Sequence, residues 1–406
     1  MLKRLLRLYK EYPFQFWLMV FGVFLSTAGA GMIAPFLMIY ASEKLGLPLS
    51  TVVTLITINA GTGLFSSFIA GTLADKVGRK VVMVVSLAAN GVIYLFMMRA
   101  ESYAAFALLM FLTGLVNPLY QVGADAMLAD LIPTKKRNDA YAINRMLNNA
   151  GFAIGPAVGG FIAALSYDYA FYGAATGMMT YSLLLLFLAR ETLVKTNTPN
   201  VVKKPDGGYA QVFLDKSYLS FVLTLGGGLI APGMLWVLLA VYTKTNYGMP
   251  ENQFGWLPTT NALMCVFVQY FVTLITRRYR PLPVAAAGMF IYAIGVGSVA
   301  LMSSFWGFWL SMVILTFGEL TLVPTASTYV ANISPANLRG RYMSVYWLAW
   351  GISRGGAPLI GGWLNDHISP HSIWVGGLLI GLTSAVGLLL LARQPSRQSL
   401  VELPAS

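Results

Sequence analysis

What most constrains this chain is the spacing of its charges. No Asp, Glu, Lys or Arg occurs in residues 12–42, 45–74, 81–98, 102–124, 146–167, 169–189, 217–243, 252–276, 281–318 or 367–392. A helix that crosses a bilayer needs about 20 mostly apolar residues, and these runs supply that length repeatedly. They are too long and too continuous for barrel strands, which are segments of about 10 residues with alternating polarity. We read spans near 14–40, 50–70, 81–98, 103–128, 140–164, 170–189, 218–242, 254–276, 283–302, 305–330, 341–364 and 372–392, twelve in all. Only 10% of the 406 residues are charged, against roughly 25% in a soluble chain, which is too few to clothe a soluble surface. The 40 glycines follow no G-x-y period, so a collagen-like reading fails. One cysteine, Cys265, excludes an internal disulfide and any Cys-built zinc or iron–sulfur site. The first run is too long for a signal-peptide core, so it is expected to stay as the first span.

Orientation follows from the basic residues, because cytoplasmic loops collect Lys and Arg. With the N-terminus inside, 22 of the 27 fall in inner segments, three (Lys44, Arg99, Lys244) in outer loops and two (Arg145, Arg354) within spans. The opposite orientation inverts this bias. Both termini are therefore expected in the cytoplasm of a cell with this chain in its inner membrane. The net charge of +12 is then mostly topology: it marks a face beside anionic lipid, not a nucleic-acid groove.

The chain also repeats itself. At an offset of 202 residues, Pro133 meets Pro335, Arg137 meets Arg339, Pro156 meets Pro358, Gly159 meets Gly361 and Gly160 meets Gly362. Identities at bend and loop positions point to a six-plus-six duplication. The expected division is an N-terminal bundle over 1–189, a cytoplasmic linker over 190–217 and a C-terminal bundle over 218–406. The linker carries Pro199, Pro205, Gly207 and Gly208 and is the longest polar stretch. Two such halves make a transporter architecture, with the substrate site near the bilayer midplane.

Between the second and third spans stands Gly71-Thr-Leu-Ala-Asp75-Lys-Val-Gly78-Arg79-Lys80. This resembles the signature of the major facilitator superfamily, G-x-L-a-D-r-x-G-r-k. A generic basic loop explains Lys76, Arg79 and Lys80 but not the fixed glycines or Asp75. In that family the signature Asp faces the start of helix 11, and the Arg pairs with an acid at the inner end of helix 4. The matching positions are Asp75, Arg79 and Asp130, and the resemblance implies a latch that holds the outward-open state. The fifth span carries Gly151-Phe-Ala-Ile-Gly155-Pro156-Ala-Val-Gly159-Gly160, similar to the family's antiporter motif, which implies an exporter. The tenth reads Phe317-Gly318-Glu319, with Pro324 beyond. It resembles the pattern of the proton-coupled multidrug exporters, where the Glu takes part in proton coupling. Two features depart from that branch. The fourth span reads Leu112-Thr-Gly114-Leu-Val-Asn117-Pro118 where an Arg followed by Gln-Gly is usual, and the first span has no Asp.

Four charges lie inside spans: Asp125, Arg145, Glu319 and Arg354. Such residues are rare and are functional or paired. Counted from the hairpin turns, Asp125 and Arg145 share one depth, and Glu319 and Arg354 share another. The second pair is roughly 25 Å from its loop apex, near midplane. A Glu whose Arg partner comes and goes would bind and release protons. Asn117 occupies the place of Glu319 in the first half. With Gln121, Trp236, Asn261, Trp347 and Trp350 it is a candidate for the substrate cavity, although Trp also anchors at membrane interfaces. His367 and His371 are separated by Ser369-Pro370, which argues against one metal-binding face.

The expected function is a secondary transporter, a proton-coupled exporter of amphipathic or cationic organic compounds, working as a monomer. A carrier of a specific metabolite, sugar or lipid shares the fold. The competing classes are a membrane-embedded enzyme and a non-transporting receptor. For the enzyme no nucleophile–His pair, phosphate loop or metal cluster is apparent, and a receptor does not require ionisable residues at midplane. No phosphate-binding G-x-x-x-x-G-K-[ST] occurs, so the proton gradient, not ATP or a cofactor, is the expected energy source.

Overall fold

The computed structural model describes residues 11–133, 136–193, 209–335 and 338–393. The centre of the linker, both chain ends and the two hairpin apices near Lys135 and Ala336 lie outside the described residues. Within these limits the chain is helical. We label the long segments α1 (Phe14–Leu45), α2 (Leu49–Val77), α3 (Arg79–Arg99), α4 (Tyr103–Leu131), α5 (Arg137–Ala163) and α6 (Tyr167–Leu188). The second series is α7 (Lys216–Tyr247), α8 (Glu251–Phe267 and Gln269–Thr276, bent by 55°), α9 (Pro281–Leu301), α10 (Phe305–Ile333), α11 (Arg339–His367) and α12 (Ser372–Arg393). Among the described residues nine of these are long and apolar enough to span a membrane, and ten if bent α8 counts as one span. The other two, α5 and α11, fall short because their sequences carry charged and polar residues, among them Arg145 and Asn148 on α5 and Arg354 and Asn365 on α11.

Helix ends follow local chemistry. Ser102, Ser166 and Asp215 cap α4, α6 and α7 by accepting from the N–H of Ala105, Asp168 and Tyr218, which satisfies donors a helix start leaves open. The repeat is visible in these ends. Gly46 closes α1 at φ 60° and Gly248 closes α7 at φ 63°. Each precedes a proline by two residues, Pro48 and Pro250, which opens the next helix. Positive φ carries no Cβ penalty for Gly alone. Arg137 Nε donates to the Ile132 carbonyl and Arg339 Nε to the Ala331 carbonyl, each at 3.1 Å. Tyr40 packs edge-on to Phe106 at 6.1 Å, and Tyr242 to Phe308 at 6.3 Å. All but the Ala331 contact match at the same 202-residue offset.

The chain forms two compact units. One takes Met1–Asn197 together with Thr243–Val266, the other Thr198–Tyr242 with Phe267–Ser406. In the first, a buried cluster of Phe16, Met19, Met83, Leu87, Met127 and Tyr181 joins α1, α3, α4 and α6. In the second, α9 lies against α10 and α12. Ser353 of α11 donates to the Gly226 carbonyl of α7 at 2.6 Å, a small-residue contact of the kind that holds membrane helices together.

Candidate functional site

The signature stretch is not a loop. Gly71 to Val77 continue α2, and the chain turns at Gly78 alone before α3 begins at Arg79. Gly78 adopts φ +115°, and a Cβ there would lie 2.5 Å from Glu191 Oε2. The glycine therefore serves both the turn and the approach of a carboxylate. Glu191 accepts from the backbone N–H of Arg79 at 3.1 Å and of Lys80 at 3.0 Å, as an anion at a helix N-terminus should. It also accepts from Thr192 and Leu193 N–H at 2.8 and 2.9 Å. Sequence reasoning missed Glu191. Its only signal was an acid placed just past the sixth span beside Arg190. Gly71, by contrast, faces open space: a Cβ there would meet no atom within 4 Å, so close approach does not explain it.

Arg79 forms an ion pair with Asp130 near the C-terminal end of α4. Asp75, one helical turn before Arg79, is exposed and 3.9 Å from the same guanidinium. Lys80 contributes its N–H to Glu191. The resulting array of Asp75, Arg79, Asp130 and Glu191 ties α2, α3, α4 and the end of α6 within one unit.

The glycines of α5 let it sit against α1. A Cβ on Gly151 would meet Thr27 and Ala28 of α1 at 2.9–3.0 Å, and one on Gly155 would meet the Ala28 carbonyl at 2.6 Å. One on Gly159 would strike the Met32 backbone, and one on Gly160 the carbonyl of Glu251 at the start of α8. Pro156 lies inside the helix, and its carbonyl backs onto Gly255.

Exposed polar and charged positions occur in both repeats. On α5, Tyr141, Arg145 and Phe152 are exposed, whereas Pro156 and Gly160 are buried. On α11, Trp347 and Arg354 are exposed, whereas Pro358 and Gly362 are buried. At the 202-residue offset Arg145 corresponds to Trp347, and Phe152 to Arg354. Ile352, Leu359 and Trp363 form a separate, apolar exposed stripe on α11. On α4, Asn117, Gln121 and Asp125 follow one another at four-residue spacing, and Asn117 and Gln121 are exposed. Gln121 Nε2 donates to Asp125 Oδ2 at 3.2 Å, and the Tyr141 hydroxyl donates to the Asp125 carbonyl at 3.1 Å. Among the described residues no ion pair joins Asp125 to Arg145: the carboxylate is held by Gln121 instead. Glu319 is half-buried on α10. Trp347 and Trp350 lie 6.2 Å apart, with Tyr346 packed 5.1 Å from Trp347. Trp236 of α7 is 38% exposed, whereas Asn261 is buried within α8. Among the described residues no group of three His, Cys, Asp or Glu is placed to hold a metal.

Two matching series of long helices, polar positions within them and a signature turn define a multi-pass membrane transporter. The Major Facilitator Superfamily model matches residues 19–231 and again 219–405, and the chain belongs to that superfamily. Among its relatives is a Na(+), Li(+), K(+)/H(+) antiporter of Planococcus maritimus, 26% identical over 376 residues, covering 83% of this chain and 86% of the relative. The quinolone resistance protein NorA of Staphylococcus aureus is 24% identical over 328 residues, covering 79% and 82%. Among solved structures, a bacterial homolog to the human lysosomal transporter Spinster, inward-facing and occupied, aligns with TM-score 0.77 at 13% identity. That alignment covers 94% of this chain and 96% of the other.

Proposed function

We propose that this chain is a secondary active exporter, a proton-coupled antiporter of amphipathic or cationic organic compounds that works by alternating access. The carrying observation is Glu319, a half-buried carboxylate in the middle of an apolar helix. A charge there is costly unless it is used. Its proton exchange, gated by Arg354, is the proposed coupling step, with Asp125, held by Gln121 rather than by Arg145, and Arg145 as further candidates. The glycine face of α5 and the kinship with a cation/proton antiporter and a quinolone resistance protein favour exchange over uptake. Asn117, Gln121, Trp236, Trp347 and Trp350 are proposed to line the path, and Asn261 to support it from within α8. A second reading, transport of one specific metabolite, rests on the α4 stretch Leu112–Pro118, which lacks the Arg and Gln-Gly of the drug-exporter branch.

The deciding experiment is uptake of labelled candidate compounds into inverted vesicles, with and without an imposed pH gradient. Accumulation that collapses with the gradient supports the antiporter. Accumulation independent of it sinks the proton-coupled reading. In the same reading both termini are cytoplasmic in the inner membrane, and no cofactor takes part. A reporter fused after Arg393 should therefore read cytoplasmic, and an outside readout would overturn the charge argument.

The array around Arg79 is proposed to act as a latch that holds the outward-open state. Asp130→Asn and Asp75→Asn should each slow turnover and shift the population toward inward-open, with near-normal expression. Asp130→Asn should act more strongly, because it removes the direct ion-pair partner of Arg79. Unchanged spin-label distances across both gates in both variants would refute the latch.

A further inference from the structure

At the outer end of the first unit lies a buried charge that the coupling chemistry does not use. Glu251, the first residue of α8, is 5% exposed. Its Oε1 receives Lys244 Nζ, from the last turn of α7, at 2.8 Å. The same oxygen accepts the Tyr167 hydroxyl, from the first turn of α6, at 2.6 Å. Around this point α8 is seated closely on α5. Gly160 leaves room for the Glu251 carbonyl, and Gly255 for the Pro156 carbonyl. One turn deeper, Thr259 Oγ1 donates to the Ala153 carbonyl at 2.7 Å. Phe254 packs edge-on against Phe36 of α1 at 6.0 Å. Nearby Lys44 is engaged elsewhere, with Tyr40 at 2.8 Å and the Met98 carbonyl at 3.0 Å.

The repeat separates what the corner needs to fold from what has been added to it. The α1–α2 corner has the same Gly-x-Pro geometry, at Gly46 and Pro48. At the 202-residue offset, Lys244 corresponds to Ser42 and Glu251 to Leu49. The corner therefore forms without an ion pair. A buried pair adds little to stability alone, since desolvation offsets most of its attraction. What such a pair does well is make one arrangement unique, because either charge left alone in that place is heavily penalised.

We propose that Glu251 is a gating residue: with Lys244 and Tyr167 it clasps the outer ends of α5, α6, α7 and α8, and the clasp opens in each cycle when the substrate path opens outward. Glycines supply the smooth contact, and Glu251 supplies the catch. The inference requires only that the chain is an alternating-access transporter. It is independent of Glu319, of the coupling ion and of the substrate.

The test measures opening directly. The full-length chain carries Cys265→Ser and Ala153→Cys, placing one thiol beneath the clasp at a position 5% exposed. The rate of labelling from the outside by a membrane-impermeant maleimide reports outward opening. Glu251→Gln and Lys244→Met should each raise that rate about tenfold, and Tyr167→Phe, which keeps the charge pair, about threefold. The double variant Glu251→Gln with Lys244→Met should be no faster than the faster single one, because both act on one bond. If the charge variants do not reach the membrane, Tyr167→Phe alone decides. Labelling at the parent rate in every variant that reaches the membrane overturns the proposal.

Discussion

Replacing Glu319 by Gln should abolish accumulation driven by a pH gradient while leaving downhill exchange of substrate measurable. Gln has the size and hydrogen-bonding capacity of a protonated Glu but cannot ionise, so it fixes the site in one state of a two-state cycle. An antiporter moves its substrate uphill because proton binding and substrate binding exclude one another. With the proton permanently mimicked, the gradient has nothing to act on. The expected result is uphill transport at background, with counterflow of preloaded substrate retained. Arg354→Ala tests the partner. If Arg354 gates the proton exchange of Glu319, the pH profile of transport by Arg354→Ala should differ from that of the parent, and an unchanged profile would remove Arg354 from the coupling step. Gradient-driven accumulation by Glu319→Gln with the parent pH dependence would place the proton site elsewhere, and Asp125 is the next carboxylate within a span.

Much of the frame was legible because it rests on local physics. Hydropathy and the spacing of charges located the helices, and the Gly and Pro offsets located the repeat. Both α5 and α11 fall short of an apolar span by composition, yet their matched Pro156 and Pro358 marked them as equivalent helices. Helix ends were less legible. The second span was expected near 50–70, but its helix runs to Val77, with Asp75 and Lys76 exposed on its last turn. Partners distant in sequence were not legible, except the Arg79–Asp130 pair that the family resemblance implied. Nothing local assigns Glu191 to the start of α3, 112 residues away from Arg79. Nothing local shows that Thr243–Val266 packs with the first unit, or that Glu251 is buried against Tyr167. Motif glycines were legible as a pattern but not in their individual roles. Gly71 and Gly155 both belong to recognisable motifs, and only Gly155 is crowded by another backbone.

That difference yields the sharpest steric prediction. Gly155→Val should reduce transport at least about tenfold and lower the melting temperature in detergent, whereas Gly71→Ala should do neither. A Cβ at Gly155 would lie 2.6 Å from the Ala28 carbonyl oxygen and 2.8 Å from Gly31 Cα. Those atoms are backbone of α1 and cannot rotate aside as a side chain would. The contact is reciprocal, since a Cβ on Gly31 would lie 3.1 Å from Gly155 Cα. Any larger residue must therefore push α5 and α1 away from each other along their whole line of contact, from Gly151 against Thr27 to Gly159 against Met32. Overpacking typically costs about 1–3 kcal/mol, and a backbone obstacle puts this site at the upper end. Membrane helices associate largely through such close packing of small residues, so little else compensates. The damage should also reach function, because Gly160 of the same helix seats the carbonyl of Glu251. A displaced α5 would no longer present that seat. Gly155→Ala, with one added methyl, should fall between Val and the parent in both measurements. A Gly155→Val protein that transports and melts like the parent would mean that α5 and α1 can separate freely, and that the glycine face has no steric role.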